Sequence, residues 1–541
     1  MKKFLFTIAA LAIVAAGCSQ KEEDGPGKGK NAEPKLTSFQ ILAADNEGLE
    51  EDYAPDAIAP SMVVRVPGGG AGKTFVATLS AGEDDIIKLN DEEVVDGKAS
   101  FDATYAVDIV VTNSKSGKSA QYEVKIGKIL QLLGKKLGSF VSAAGDMTYT
   151  SSSFKAAVNP VTGEMYLAYT FTPTGGVKNI GVVKYSGGSF VQVGTEGIVP
   201  APAEGSAIAT STVCSLQFDA SGTPYLLYLS GDVKNSLSVR KFDGSAWTLV
   251  GKGGFSDKPT TTYCTPELYF DASGNPGVIY ADPTRGAAIY SYSSSEWTKG
   301  SITGFPAYGV DNGRGGSYPG MFYVGRVLKS GGKIYGLFSA NWYGLYIYEL
   351  SGSAWSTAVI SDYIAEGENT MIPGNLKMIE TKDGKILVFA AHWSKNEMQL
   401  YQFSGTDLKP YGDPYPITIS DKGSTIDANV CVNPVTGQIM LVRVADSSNE
   451  AQIMYSFLDE NLKWEDTMYL GNATTTTPEP TDEDPEPQPV TTFDIPGAYA
   501  ATFGFGFSKE GAPLIIYPDQ NRKANGFHLY TVGLEDDVLP E

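Results

Sequence analysis

The 541-residue chain carries 62 acidic against 41 basic residues, a formal charge of −21, and no Lys/Arg run that could form a basic patch, which sets nucleic acid aside as a partner. With 61 Gly, 30 Pro, 30 Tyr and 24 Phe it suits many short strands joined by tight turns, and no long stretch after the first 17 residues has a helical period. The expected fold class is all-β.

Met1 to Gly17 is a targeting segment: Lys2 and Lys3 form a basic start, Phe4 to Ala16 a short apolar core, and Ala15-Ala16-Gly17-Cys18 the cleavage region. The segment is too short and wrongly flanked to be a mature membrane span. It resembles the lipobox cut by lipoprotein signal peptidase, and the resemblance implies that Cys18 becomes the lipidated N-terminus, with outer-membrane lipid as a partner. Ser19 to Asp24 (SQKEED) resembles the acidic tag that sends some Gram-negative lipoproteins to the outer face of the outer membrane. Gly25 to Pro34, rich in Gly, Pro and Lys, extends the tether through residue 34.

Residues 35–128 form a first domain of strands, with LTSFQIL, SMVVRV and TFVATL followed by YAVDIVV and QYEVKI as a closing hairpin. Val107, Ile109 and Val111 alternate with polar residues, as do Tyr122, Val124 and Ile126, so each strand buries one face. The closing hairpin is similar to that of the immunoglobulin-like domain that opens many surface glycan-binding lipoproteins. Gly68 to Thr74 (GGGAGKT) mimics a phosphate loop, but Pro67 stands where a Walker A motif needs its first Gly and a strand follows where a helix is required, so it reads as a hairpin loop.

From residue 129 onward the chain repeats. The stretch Val213 to Gly251 contains four strand-length apolar runs, Cys214 to Phe218, Tyr225 to Leu229, Leu237 to Phe242 and Trp247 to Val250. The first and third turns, DASG and DGS, are tight; the second is longer. The first-turn glycine recurs at Gly163, Gly222, Gly274, Gly332, Gly384, Gly437 and Gly511, at spacings of 52 to 59 residues and a last one of 74. That last spacing holds an acidic, Pro-rich insertion, Asn472 to Thr492, which cannot bury a core and is expected to be disordered. Four strands per period of about 50 residues resembles the kelch and galactose-oxidase-like class of β-propellers, which implies seven blades over 129–541. Asp243-Gly244 lacks the residue that sialidase turns keep between Asp and Gly, so sialidase activity is not implied. The last blade lacks a fourth strand and Ile129 to Gly134 lacks a blade, so the two are expected to pair and close the ring.

The second-to-third strand connections and the loops between blades share the face opposite the first and third turns and are long and varied, for example Ser301 to Pro319, which makes that end of the propeller the expected binding face. Trp247, Trp297, Trp355 and Trp464 follow third turns and are assigned to packing between blades. Trp342 and Trp393 instead fall in the second-to-third connections of neighbouring blades, beside Asn341, Tyr343 and His392. Flat apolar faces with hydrogen-bonding edges suit sugar rings; a plug for the channel mouth is the other account. Arg314 on the same face suits an anionic group.

The only histidines are His392 and His528, and no G-x-S-x-G elbow is present. Carboxylates assigned to the variable face (Asp282, Asp311, Glu366, Glu368, Glu397, Asp446 and Asp519) leave a glycosidase or lyase as the alternative to a binding protein. Cys214, Cys264 and Cys431 are too widely spaced for a zinc cluster and read as buried thiols, a Cys214–Cys264 disulfide being the other possibility. No metal or cofactor is expected. These resemblances together imply a lipid-anchored surface protein capturing an extracellular glycan, with adhesion to a surface protein as a third reading.

Overall fold

The computed structural model describes residues 33–67, 69–128, 132–149, 153–199, 212–230, 236–257, 266–282, 286–302, 322–340, 344–351, 354–361, 376–392, 397–416, 428–445, 452–476, 490–495, 497–498, 502–519 and 526–534. The chain divides into one unit ending at Gln131, to which the last seven residues are also assigned, and a second spanning Leu132–Leu534. Among the described residues, apart from a single 3-10 turn at Ala43–Asp45, the regular elements are strands.

In the first unit, Leu36–Gln40, Thr74–Ala81 and Lys98–Asp102 form one sheet, with Thr74–Ala81 central. The other has the order Ser61–Val66, Ser119–Lys128, Val107–Asn113, Asp85–Leu89, Glu92–Glu93, and its first pair is parallel. The expected hairpin is present, with Val107 opposite Val124 and Val111 opposite Ala120. Its alternation works as read: Val107, Ile109, Val111, Val124 and Ile126 are buried in one core with Phe39, Phe75 and Phe101. The glycine-rich mimic leads straight into the Thr74–Ala81 strand, and the Lys73 ammonium donates to the Pro67 carbonyl at 2.8 Å rather than facing an open loop.

Among the described residues, the second unit contains seven sheets of four or five strands and one two-stranded ribbon. The first strands of the seven sheets lie side by side in a closed circuit: Phe154–Val158, Thr212–Phe218, Glu267–Phe270, Phe322–Ser330, Lys377–Glu380, Ala428–Val432, Gly504–Phe507 and back to Phe154–Val158. The second sheet, Thr212–Phe218, Pro224–Ser230, Ser236–Phe242 and Trp247–Leu249, matches the four runs read from the sequence within two residues at every end.

All seven first-turn glycines have positive φ, between 75° and 86°. Such a backbone costs glycine little and any residue with a Cβ more, which is why this position carries the repeat signal. Asp219 and Asn433 close these turns with their own side chains, Asp219 Oδ1 accepting from the Ser221 and Thr223 amides and Asn433 Oδ1 from those of Val435 and Thr436. Asparagine adds a donor that aspartate lacks. Asn159 Nδ2 donates to Gly222 O in the next sheet at 2.9 Å, and Asn433 Nδ2 to Gly511 O at 3.0 Å.

Trp247 and Trp297 behave as assigned. Each indole N–H crosses to the preceding sheet, Trp247 to the Val193 carbonyl at 2.8 Å and Trp297 to the Val250 carbonyl at 2.7 Å. Trp355 is fully buried edge-on to Tyr269 of the third sheet. Trp464 stands edge-on to Tyr415 at 5.8 Å.

The seventh sheet runs Gly504–Phe507, Pro513–Pro518, Phe527–Leu534 and then Leu132–Phe140, so its outer strand comes from the other end of the unit. The expected pairing is present, but the strand extends to Phe140 instead of stopping at Gly134, and 129–131 lie outside the described residues. Lys135 and Lys136 continue the strand beyond that glycine, because on an outermost strand one face is wet and lysines are compatible with it. The ends of the acidic insertion pair with each other, Ala473–Thr476 against Val490–Phe493, while 477–489 lie outside the described residues.

Candidate functional site

The polar side chains of the inner strands link one sheet to the next. Gln217 Nε2 donates to Glu267 Oε1 at 2.7 Å, and Arg326 Nη1 stands 3.8 Å from Glu267 Oε2. Ser330 Oγ donates to Glu380 at 2.8 Å, and Lys377 Nζ donates to Asn429 Oδ1 at 2.8 Å and reaches Cys431 Sγ at 3.0 Å. Burial pushes the Glu267 carboxyl above the usual range, with the Arg326 charge and the Gln217 hydrogen bond opposing it.

This shift predicts a pH dependence with a definite sign. The folded state holds a proton on Glu267 that the unfolded chain has lost, so stability falls as pH rises above the ordinary glutamate range. Glu267→Gln keeps an acceptor for Gln217 and removes the buried charge, while Arg326, whose side chain is 38% exposed, keeps its hydration. The variant should melt higher than wild type at about pH 7 and lose that advantage at about pH 4. Thermal melts across this range check it, and equal destabilisation at both pH values would contradict the assignment.

Contacts between first turns place those of the first, second, fifth, sixth and seventh sheets at one end of the circuit, and Ser330 Oγ, just before the fourth turn, donates to Glu380, just before the fifth. Besides the two asparagine bridges, Lys382 Nζ donates to the Val435 carbonyl at 2.7 Å, and a Cβ built on Gly163 would lie 2.6 Å from the Lys509 amide. Because the first, second and third strands of these sheets run antiparallel to one another, the second-to-third connections emerge at the opposite end. In the fourth sheet the flanking strands end at Ala340 and resume at Gly344, which are Cα partners; in the fifth, His392 is the partner of Glu397. Asn341, Trp342, Tyr343 and Trp393 occupy these two connections in the sequence and, with Arg314, lie outside the described residues, as do Cys18 and Cys264. His392 is described only as the last residue of its strand.

The short-turn end has an open cleft between the first and second sheets, lined by Tyr166, Asp219, Tyr225, Lys241, Phe242 and Asp243. Its tyrosines are occupied: Tyr166 packs edge-on to Phe218 at 4.9 Å and Tyr225 edge-on to Phe270 at 4.8 Å. Both tyrosines are buried, so neither offers an exposed ring for a ligand to stack on.

One carboxylate assigned to the variable face is buried there rather than solvated. Asp519 directly follows the Pro513–Pro518 strand and is fully buried, with Oδ2 2.7 Å from His528 Nε2. The other ring nitrogen, Nδ1, is 2.7 Å from Ser139 Oγ on the closing strand. Asp519 and His528 are nine residues apart, but Ser139 is 389 residues from His528, and no sequence pattern joins them.

No family model and no curated protein matches the chain. Among solved structures, it is similar to AofleA from Arthrobotrys oligospora, at 15% identity over 63% of this chain and 90% of that one, with a TM-score of 0.37. It is also similar to the fucose-specific lectin from Aleuria aurantia, at 14% identity over 62% of this chain and 94% of that one, TM-score 0.31. A puromycin-hydrolyzing peptidase of Mycobacterium tuberculosis matches at 9% identity over 84% of this chain and 61% of that one, TM-score 0.36. With TM-scores below 0.5, and with a lectin and a peptidase side by side, neither the fold nor the activity of this chain follows from them.

Proposed function

We propose that the chain is a lipid-anchored surface protein, held in the outer membrane through acylated Cys18, whose seven-bladed propeller captures glycan on the end opposite its short turns. The closed circuit of seven first strands supports the blade count. The two-sheet first unit is read as the immunoglobulin-like spacer that opens surface glycan-binding lipoproteins. One observation carries the choice of face. The first turns gather at one end, with Ser330 and Glu380 linking the fourth and fifth sheets there, which supports assigning the connections that contain Trp342 and Trp393, in adjacent sheets, to the other.

Stacking a sugar on an exposed indole removes apolar area from water on both partners at about 25 cal/mol per Å². Trp342→Ala and Trp393→Ala should each weaken binding by about 1 to 3 kcal/mol while leaving the melting temperature nearly unchanged. A glycan array probed with the chain lacking Met1 to Cys18, followed by titration of the two variants, tests this. If both variants unfold, the indoles are plugs of the channel mouth; if the wild type binds no glycan, adhesion to a surface protein replaces glycan capture.

A further inference from the structure

We propose that Ser139, His528 and Asp519 form a nucleophilic serine site, open to water on the closing strand of the second unit, that cleaves esters of short uncharged acyl groups. This inference does not rest on glycan capture, although Asp519 opens the second-to-third connection of its sheet and His528 directly follows that connection's far end. Ser139 and His528 are direct Cα partners across the Leu132–Phe140 and Phe527–Leu534 strands, which sets their side chains on one face. The hydroxyl oxygen is 2.7 Å from Nδ1, and Nε2 is 2.7 Å from Asp519 Oδ2.

The proton positions follow from the donors available. An ionised carboxylate has no proton to give, so Nε2–H donates to Asp519; the neutral ring then has a lone pair on Nδ1, and the Ser139 hydroxyl donates to it. Burial is the largest influence on His528 and depresses its basicity; Lys136 acts in the same direction and the Asp519 bond opposes both. The ring is therefore neutral at neutral pH and free to take a proton. Ser139 is exposed, whereas His528 and Asp519 are 4% and 0% exposed, so only the nucleophile meets solvent.

A purely structural pair would satisfy its buried atoms, but Asp519 Oδ1 is buried with no hydrogen-bond partner among the described residues, an uncompensated carboxylate oxygen of the kind found at functional sites. Lys136, opposite Tyr530 on the same strand pair and close enough to bias His528, supplies positive charge for the developing oxyanion. An outermost strand in water suits a short acyl group, not a chain that needs apolar burial.

In the reaction, Ser139 Oγ adds to the ester carbonyl carbon as its proton passes to Nδ1. Collapse breaks the carbon–oxygen bond to the alcohol, which leaves with that proton, and the acyl group stays on Ser139. Water then adds, its proton passing to Nδ1 and on to Oγ, releasing the carboxylic acid and restoring the serine. Asp519 is a positioning residue that holds the tautomer.

The full chain is treated with a fluorophosphonate probe, the modified residue is found by peptide mass spectrometry, and p-nitrophenyl acetate hydrolysis is followed in parallel. Ser139 should be labelled, and Ser139→Ala, an exposed change, should abolish both label and hydrolysis. Labelling should fall as pH drops below the ordinary histidine range, because His528 titrates below it. In Asp519→Asn the amide can donate to Nε2, which moves the ring proton to Nδ1 and removes the acceptor, so labelling should slow by about tenfold or more at every pH. Ser139 labelled no faster than in heat-unfolded protein, a rate flat down to about pH 4, or an Asp519→Asn variant labelled at the wild-type rate would each overturn the proposal.

Discussion

Deleting Leu132–Phe140 should abolish cooperative folding of the second unit rather than lower its stability by a step. This strand pairs with Phe527–Leu534 from end to end and is the outer strand of the seventh sheet. It also ties that sheet to both neighbours: Gly134 N donates to the Leu470 carbonyl and Tyr455 Oη to the Leu132 carbonyl on one side, and Tyr185 Oη to the Leu137 carbonyl on the other. Phe140 packs at 4.9 Å from Tyr169 and 5.7 Å from Phe190, so its loss also strips the first sheet. Without the strand, Phe527–Leu534 becomes a free edge carrying the buried Leu529 and Val532, a template for pairing with a second chain. Calorimetry should show no folding endotherm for this unit, and gel filtration should show aggregate. A melting temperature equal to wild type would mean that the pairing contributes nothing to closure.

The second large effect is expected at Gly277. A Cβ there would lie 2.1 Å from Tyr269 Cζ and 2.4 Å from its Oη, because Gly277 is the direct Cα partner of Tyr269 and the ring lies flat across it. The ring cannot yield cheaply, since it is buried and held edge-on against the fully buried Trp355 at 5.5 Å. The first sheet uses the same device, with Tyr169 opposite Gly181 and a Cβ contact of 2.4 Å. Gly277→Ala should therefore cost about 3 kcal/mol, at the upper end for overpacking. The cost should nearly vanish when Tyr269→Ala is already present, because that change vacates the space the new methyl needs. Denaturant melts of the two single variants and the double variant measure the coupling, and strict additivity would show that the clash is relieved some other way.

The features legible in the sequence are those set by local chemistry. A tight turn needs positive φ at one position, glycine supplies it, and the seven occurrences mark seven sheets without reference to what packs on them. The period-2 alternation of Val107 to Val111 identifies a buried face because side-chain direction is set by the strand itself. The tryptophans after the third turns could be assigned to packing because they recur with the period. Trp342 and Trp393 stood out because they do not, although their connections lie outside the described residues.

Tertiary structure decided what depends on partners far away in the chain. Glu267 resembles any surface carboxylate in the sequence, and only closure of the circuit takes it out of water beside Gln217 and Arg326. Asp519 was assigned to a wet connection because a charge after a strand is usually solvated, yet the ring places a histidine close enough to satisfy it. Ser139 carries no local signal at all. Its hydroxyl gains a basic partner only because the first strand of this unit is the last to be paired, and a register set by long-range pairing leaves no trace in the composition or period of either strand.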